Sequence, residues 1–211
     1  MSRLKLIDKP ECPFCWRVRI ALALQGRPED SLDRSDPEVL ALWQVLSPNR
    51  TVPVLIDDDL VLTDSGPMLE YLAETGPALL PGSPHQRAEA RSWMVYGDNV
   101  LGRSIREVVF EKRDKSEHEW NQSRIREGVR GFMDGLPALE AALDREPFLA
   151  GTQPTLAECV LFPRFALALA NDVEVPEEFP FIRQWFGRMA AHPAFVSASP
   201  ERFRNFLFDL T

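Results

Sequence analysis

A chain of 211 residues with 45% hydrophobic and 27% charged side chains has room for two modest domains with real cores, and is too apolar for disorder. Its formal net charge of -8 argues against nucleic acid as a main partner, because phosphate binding needs a surplus of Lys and Arg. The start carries Arg3, Lys5 and Asp8 without an apolar run of signal-peptide length, and no stretch reaches membrane-spanning length. A cytoplasmic protein with reduced thiols and no membrane partner is therefore expected.

Leu4-Lys5-Leu6-Ile7 reads as a short strand, broken by Lys9-Pro10-Glu11. From Pro13 the pattern turns helical, with Val18, Ala21, Leu22 and Gln25 on roughly one face and Gly26 as the stop. Pro13 suits a first helical position, which makes Cys12 the N-cap and puts Cys15 one turn in. Arg27 to Asp36 is polar, and any strand there is a poor edge strand. Asp36-Pro37 opens a helix through Leu40, Trp43 and Leu46. Val52 to Ile56 and Leu60 to Leu62 form a hairpin around Asp57-Asp58-Asp59, and Thr63, Asp64 or Ser65 caps a helix over Met68, Leu69 and Leu72.

Gly76 to Pro84 is rich in proline and glycine and is the best linker candidate. Beyond it the pattern is helical. One helix runs from about His85 to Val108, loosened at Gly97 and Gly102, and a second from Ile125 to Leu143, kinked at Pro137. A third opens at Thr155 with Glu158 in capping-box spacing, and a fourth carries Phe181 to Met189. The first half is thus a mixed sheet with helices on it, and the second a helical bundle. The boundaries fall at 1–76, a linker over 77–84, and 85–211.

Three cysteines do not suggest a disulfide framework. Cys12 and Cys15 lack a second ligand pair, and His85, His118 and His192 are scattered, so no metal is expected. Cys12-Pro13-Phe14-Cys15 after a strand and at a helix start is a stronger signal. The unpaired N–H groups and positive dipole end favour a thiolate at Cys12, and Lys9 and Arg17 add positive charge nearby. Cys15, on the same helix face, either resolves a mixed disulfide or simply packs. Cys159 lies in an apolar helix, with burial as the default.

Two further motifs accompany it. In Thr51-Val52-Pro53-Val54-Leu55 the proline removes a ladder donor, which suits a sheet edge or a cis turn and leaves Val52 able to grip an extended peptide; alone, a plain edge proline is the simpler reading. Asp64-Ser65-Gly66 at a helix start suits a carboxylate, with Asp64 beside an ammonium, as in an amino acid; ordinary N-capping is the commoner reading of such a pair.

Taken in order, Cys12, Val52-Pro53 and Asp64-Ser65 resemble the glutathione transferase superfamily. So do Phe148-Leu149-Ala150-Gly151 with Thr155-Leu156-Ala157-Glu158, and His192-Pro193-Ala194-Phe195. The resemblance covers nearly the whole chain. It implies an α/β thioredoxin-like N-terminal domain followed by an all-α helical C-terminal domain, and a homodimer. It implies glutathione as co-substrate, with Cys12 beside its sulfur, Val52 (before a cis Pro53) pairing with the cysteinyl unit, Ser65 on the γ-glutamyl carboxylate and Asp64 facing the amino group. Phe14, Arg50 and Thr51 complete the expected glutathione set, Arg50 by its charge alone, for the glycyl carboxylate. An electrophile site would draw on Phe14, Trp93, Met94 and Tyr96, which read equally well as core. The Cys-Pro-Phe-Cys form looks most like the cysteine-type, omega-like branches and two-domain glutaredoxins, which implies thiol–disulfide exchange at Cys12 with Cys15 optional. The alternatives are conjugation or cleavage of an aromatic electrophile, and a non-enzymatic scaffold on the same fold. Two departures stand out: Glu158 where the family usually has Asp, and Asp64 where many omega-like members have Glu.

Overall fold

Leu4, Leu6 and Ile7 are fully buried in the first strand, β1 (Leu4–Asp8), and the sheet is laid around it. The computed structural model describes residues 4–77 and 79–208, with side chains to 204. The chain forms two compact units. The first runs to Leu79 and takes in Pro193–Glu201; the second holds Leu80–His192 and continues from Arg202.

In the first unit, α1 (Pro13–Leu24) follows β1, with Cys12 as the extended N-cap residue and Pro13 at its first position. Gly26 at φ +60 turns the chain out, a conformation that costs glycine little. β2 (Glu29–Asp33) then lies parallel to β1 at the sheet edge. Asp36 accepts from the N–H groups of Glu38 and Val39 to start α2 (Pro37–Leu46). β3 (Val54–Asp57) runs antiparallel to β1, and β4 (Leu60–Leu62) antiparallel to β3, giving the order β2-β1-β3-β4. Ile7, Trp43 and Val54 make a core cluster that Leu32, Val39, Leu46 and Val61 extend. α3 (Ser65–Thr75) packs against α1.

Two sequence expectations are corrected here. Pro53 is neither inside a strand nor at an edge: β3 starts at Val54 and is an interior strand, so the proline sits ahead of the ladder and no bond is lost. The helical half drawn as 85–211 gives up α10 (Pro193–Ala198), which packs on α1 in the first unit.

In the second unit, the long helix expected from His85 to Val108 is three pieces. α4 (Pro84–Tyr96) and α5 (Arg103–Asp114) flank a π-helical turn at Gly97–Gly102. The wider turn makes room for a buried arginine: a Cβ on Gly102 would stand 2.8 Å from Arg164 Nε, and Arg164 donates to Asp98 at 3.0 Å. α5 and α6 (Gln122–Asp134) are pinned by Arg124, which forks onto Glu107 and the buried Glu111. The kink expected at Pro137 is a break at Gly135, so α7 (Leu136–Leu143) is a separate helix with the proline in its first turn. α8 (Leu156–Leu169) is buried along most of its length, and α9 (Pro180–Ala190) and α11 (Glu201–Phe208) follow.

The start of α8 shows why its cap tolerates the longer acid. Glu158 is fully buried and accepts from Leu149 N at 2.8 Å, Thr155 N at 2.7 Å, Thr155 Oγ1 at 2.8 Å and Trp185 Nε1 at 3.3 Å. Burial pushes its carboxyl up, and these four donors work against that push. The expected capping box is thus also a clamp on the loop before it. Thr155→Ala should cost about 1 kcal/mol through the lost cap. Glu158→Ala should cost about 3 kcal/mol or more, because several buried donors lose their acceptor at once. Urea unfolding midpoints measure both.

Candidate functional site at one end of the sheet

The strand register gathers the three motifs. Ile7 pairs with Val54, so the end of β1, which leads to Cys12, lies beside the start of β3, which follows Val52-Pro53. Leu55 pairs with Leu62, so the end of β4, which leads to Asp64-Ser65, lies at that same end. Thr51 Oγ1 reaches the Thr63 carbonyl at 3.5 Å, joining the second motif to the third.

Cys12 is half-buried; Cys15 and Cys159 are completely buried, and none of the three is in a disulfide. Cys12 makes no capping hydrogen bond of ordinary geometry, but the N–H groups of Cys15 and Phe14 point partial positive charge at its sulfur. The largest influence is the Cys15 thiol, which donates to that sulfur; burial and the charge of Asp8 act the other way, and the balance lowers Cys12 from 9.0 to about 6. The same contact, with burial foremost, pushes the Cys15 thiol up, so it stays protonated. Cys12 is therefore mostly thiolate at neutral pH. Because its acidity is raised in the folded state, it adds stability that is complete above the ordinary thiol value and lost as pH falls through about 6.

The positive charges expected to help are placed otherwise. Arg17 is buried with its guanidinium 4.8 Å from the centroid of the Phe14 ring, and Lys9 is exposed. Phe14 itself is 41% exposed, at the start of α1.

The Val52–Pro53 peptide bond is cis, with Val52 half-buried and Pro53 buried. The turn before it is held by residues the sequence reading did not single out for the site. Ser47 Oγ donates to the Thr51 carbonyl and accepts from Thr51 N, both at 3.0 Å, and Trp43 Nε1 donates to that carbonyl at 2.8 Å. Arg50 is exposed, with φ +52, in the same turn. At α3, Asp64 is the N-cap and accepts from Gly66 N at 3.0 Å, while Ser65 is buried at the first helical position. Trp93, Met94 and Tyr96 belong to the second unit. Met94 is buried there, Trp93 and Tyr96 meet edge to face, and Tyr96 donates to the Gly135 carbonyl at 2.9 Å. Among the described residues no cluster of three or more His, Cys, Asp or Glu could hold a metal ion, and no helix is long and apolar enough to cross a membrane.

Residues 6–82 match the glutathione S-transferase N-terminal domain, and residues 110–193 the C-terminal domain of the same family. A maleylacetoacetate isomerase from Pseudomonas aeruginosa is 30% identical over 212 residues, spanning 93% of this chain and 96% of its own. The chain belongs to the glutathione S-transferase superfamily. Glutathione transferase GST 23 of Zea mays is 26% identical over 95% of this chain and 91% of its own. A glutathione transferase from Burkholderia graminis, crystallised with two glutathione molecules bound per subunit, superposes with a TM-score of 0.81 at 25% identity, over 95% of this chain and 89% of its own. The thioredoxin-like first unit and helical second unit are the architecture of this superfamily.

At neutral pH, iodoacetamide should label Cys12 in the native protein and spare Cys15 and Cys159, with all three labelled once the chain is unfolded. Peptide mass spectrometry reads the sites, and native labelling of Cys15 at a rate like that of Cys12 would contradict the placement.

Proposed function

We propose that this chain is a glutathione-dependent thiol transferase that acts through Cys12 by thiol–disulfide exchange. The observation that carries this reading is the half-buried Cys12 at the extended N-cap of α1, one turn before the fully buried Cys15, with its thiol pushed toward the anion. The Cys12 thiolate attacks the glutathionyl sulfur of a mixed disulfide. The disulfide bond breaks, the partner leaves as a thiolate and takes a proton from water, and Cys12 carries glutathione. The thiolate of a second glutathione attacks that same glutathionyl sulfur, releasing oxidised glutathione and restoring the Cys12 thiolate. Cys15, buried and held protonated, is a donor to Cys12 rather than a second redox centre.

The remaining motifs supply a fitting cradle for the tripeptide. The Ser65 hydroxyl and the start of α3 suit the γ-glutamyl carboxylate, Asp64 the ammonium, and the Val52 backbone the cysteinyl unit. The glutathione bound in the Burkholderia graminis relative supports the choice of tripeptide. A cytoplasmic setting, where glutathione is kept reduced, suits the second half of the cycle.

A second reading has the relatives' names behind it. They are called glutathione transferases and maleylacetoacetate isomerases, names that point to glutathione chemistry on carbon rather than on a disulfide, and they do not favour the omega-like branch. The two readings separate on Cys12→Ser. Exchange with a glutathione mixed disulfide should fall at least about a hundredfold in that variant, while Cys15→Ser keeps turnover within about tenfold. Exchange that survives Cys12→Ser, or isomerase or aromatic-conjugating activity that persists in it, would overturn the first reading in favour of the second.

A further inference from the structure

The short loop that delivers Cys12 to α1 is tied down by one side chain. Arg19, two turns along α1, forms an ion pair through Nη1 with Asp8 at the end of β1, donates from Nη2 to the Pro10 carbonyl at 2.6 Å, and donates from Nε to the Ala198 carbonyl at 3.0 Å. All the partners lie in the first unit. The three contacts span β1, the Lys9–Glu11 loop and the last residue of α10, so one planar group fixes both ends of the loop's approach and joins it to a segment nearly 180 positions later in the chain.

Asp8 is the reason this matters for the thiol. It is 6% exposed, and its Oδ1 has no hydrogen-bond partner, so its charge is poorly screened by water. That charge opposes ionisation of Cys12. Other ionisable groups belong to the loop and the elements packed on it: Asp33 opposite Asp8 on β2, Lys9 and Glu11 within the loop, Cys15 and Arg17 on α1, and Asp64, Glu70, Tyr71 and Glu74 at or along α3; α10 contributes none. Among these Asp8 is the buried carboxylate that acts on Cys12, and Arg19 is its ion-pair partner.

We propose that Arg19 is a positioning residue for Cys12, holding the loop in place and neutralising Asp8 so that the sulfur can stay anionic. This rests on Cys12 being the reacting sulfur. It does not rest on disulfide exchange being the reaction.

The test is the pH profile of Cys12 alkylation by iodoacetamide, followed by peptide mass spectrometry and requiring neither glutathione nor a disulfide. Arg19→Met should raise the midpoint by about one pH unit. Asp8→Asn alone should lower it, and Asp8→Asn added to Arg19→Met should bring it back near the wild-type value. Arg19→Lys, which keeps the charge but not the fork, should lie between wild type and Arg19→Met. A purely structural role would not give the rescue by Asp8→Asn. A folded Arg19→Met protein with the wild-type midpoint overturns the proposal; should that variant fail to fold, an unmoved midpoint in Asp8→Asn overturns it instead. Absence of exchange activity in the wild-type protein, with the midpoints shifted as described, would count against the thiol transferase reading and leave Arg19 in its role.

Discussion

The constraint on which the site depends is the pairing of a half-buried cysteine at the opening of a helix with a fully buried one a turn later. Cys12 stands where α1 has unpaired N–H groups, and Cys15, one turn on, is sealed from water. A buried thiol in such a place has two ways to be satisfied: it can ionise, which burial forbids, or it can donate. It donates to Cys12, and the cost of burying Cys15 becomes a reason for Cys12 to ionise. The helix end contributes in the same direction. Both effects require the first turn of α1 to be held where it is, so the packing around it has chemical consequences.

That packing is supplied by the sheet. Because β1 and β3 are antiparallel neighbours with Ile7 opposite Val54, the cysteine loop and the turn ahead of β3 are at the same end. The hairpin to β4 brings the start of α3 to that end too. Each motif would be ordinary alone: a helix N-cap, a turn with a cis proline, a capped helix start. Their meeting places a half-buried cysteine, the turn backbone at Val52 and the start of α3 at one end of the sheet. The chain's last stretch joins in through α10, whose closing carbonyl is held by Arg19. The loop bearing Cys12 is therefore secured by contacts that are far apart in sequence.

Much of this was legible in the residues. Pro13 and Gly26 bracket α1, Asp36-Pro37 opens α2, and Thr155 with Glu158 marks α8, because caps and breakers act locally and leave local signatures. The weak strand at Glu29–Asp33 was readable as an edge because its polar residues suit a strand paired on one side only. Other features depended on partners remote in sequence. The break at Gly135 and the π-helical turn at Gly97–Gly102 answer to side chains on other helices, such as Arg164 against Gly102. α10 reads as one more bundle helix until its packing on α1 is seen. The site itself followed the same division. Cys12, Val52 and Asp64-Ser65 carry recognisable patterns, whereas the contacts of Ser47, Asp8 and Arg19 appear only in the folded chain. Where the Arg17 guanidinium lies, over the Phe14 ring, was likewise not legible from its place in the sequence.

The most direct measurement is an ultraviolet titration of thiolate absorbance in the wild-type protein, with Cys12→Ser as the blank. The difference between the two should rise as a single ionisation centred at about pH 6. A difference curve centred near 9, the ordinary value for a cysteine, would contradict a sulfur held as an anion by Cys15 and the start of α1.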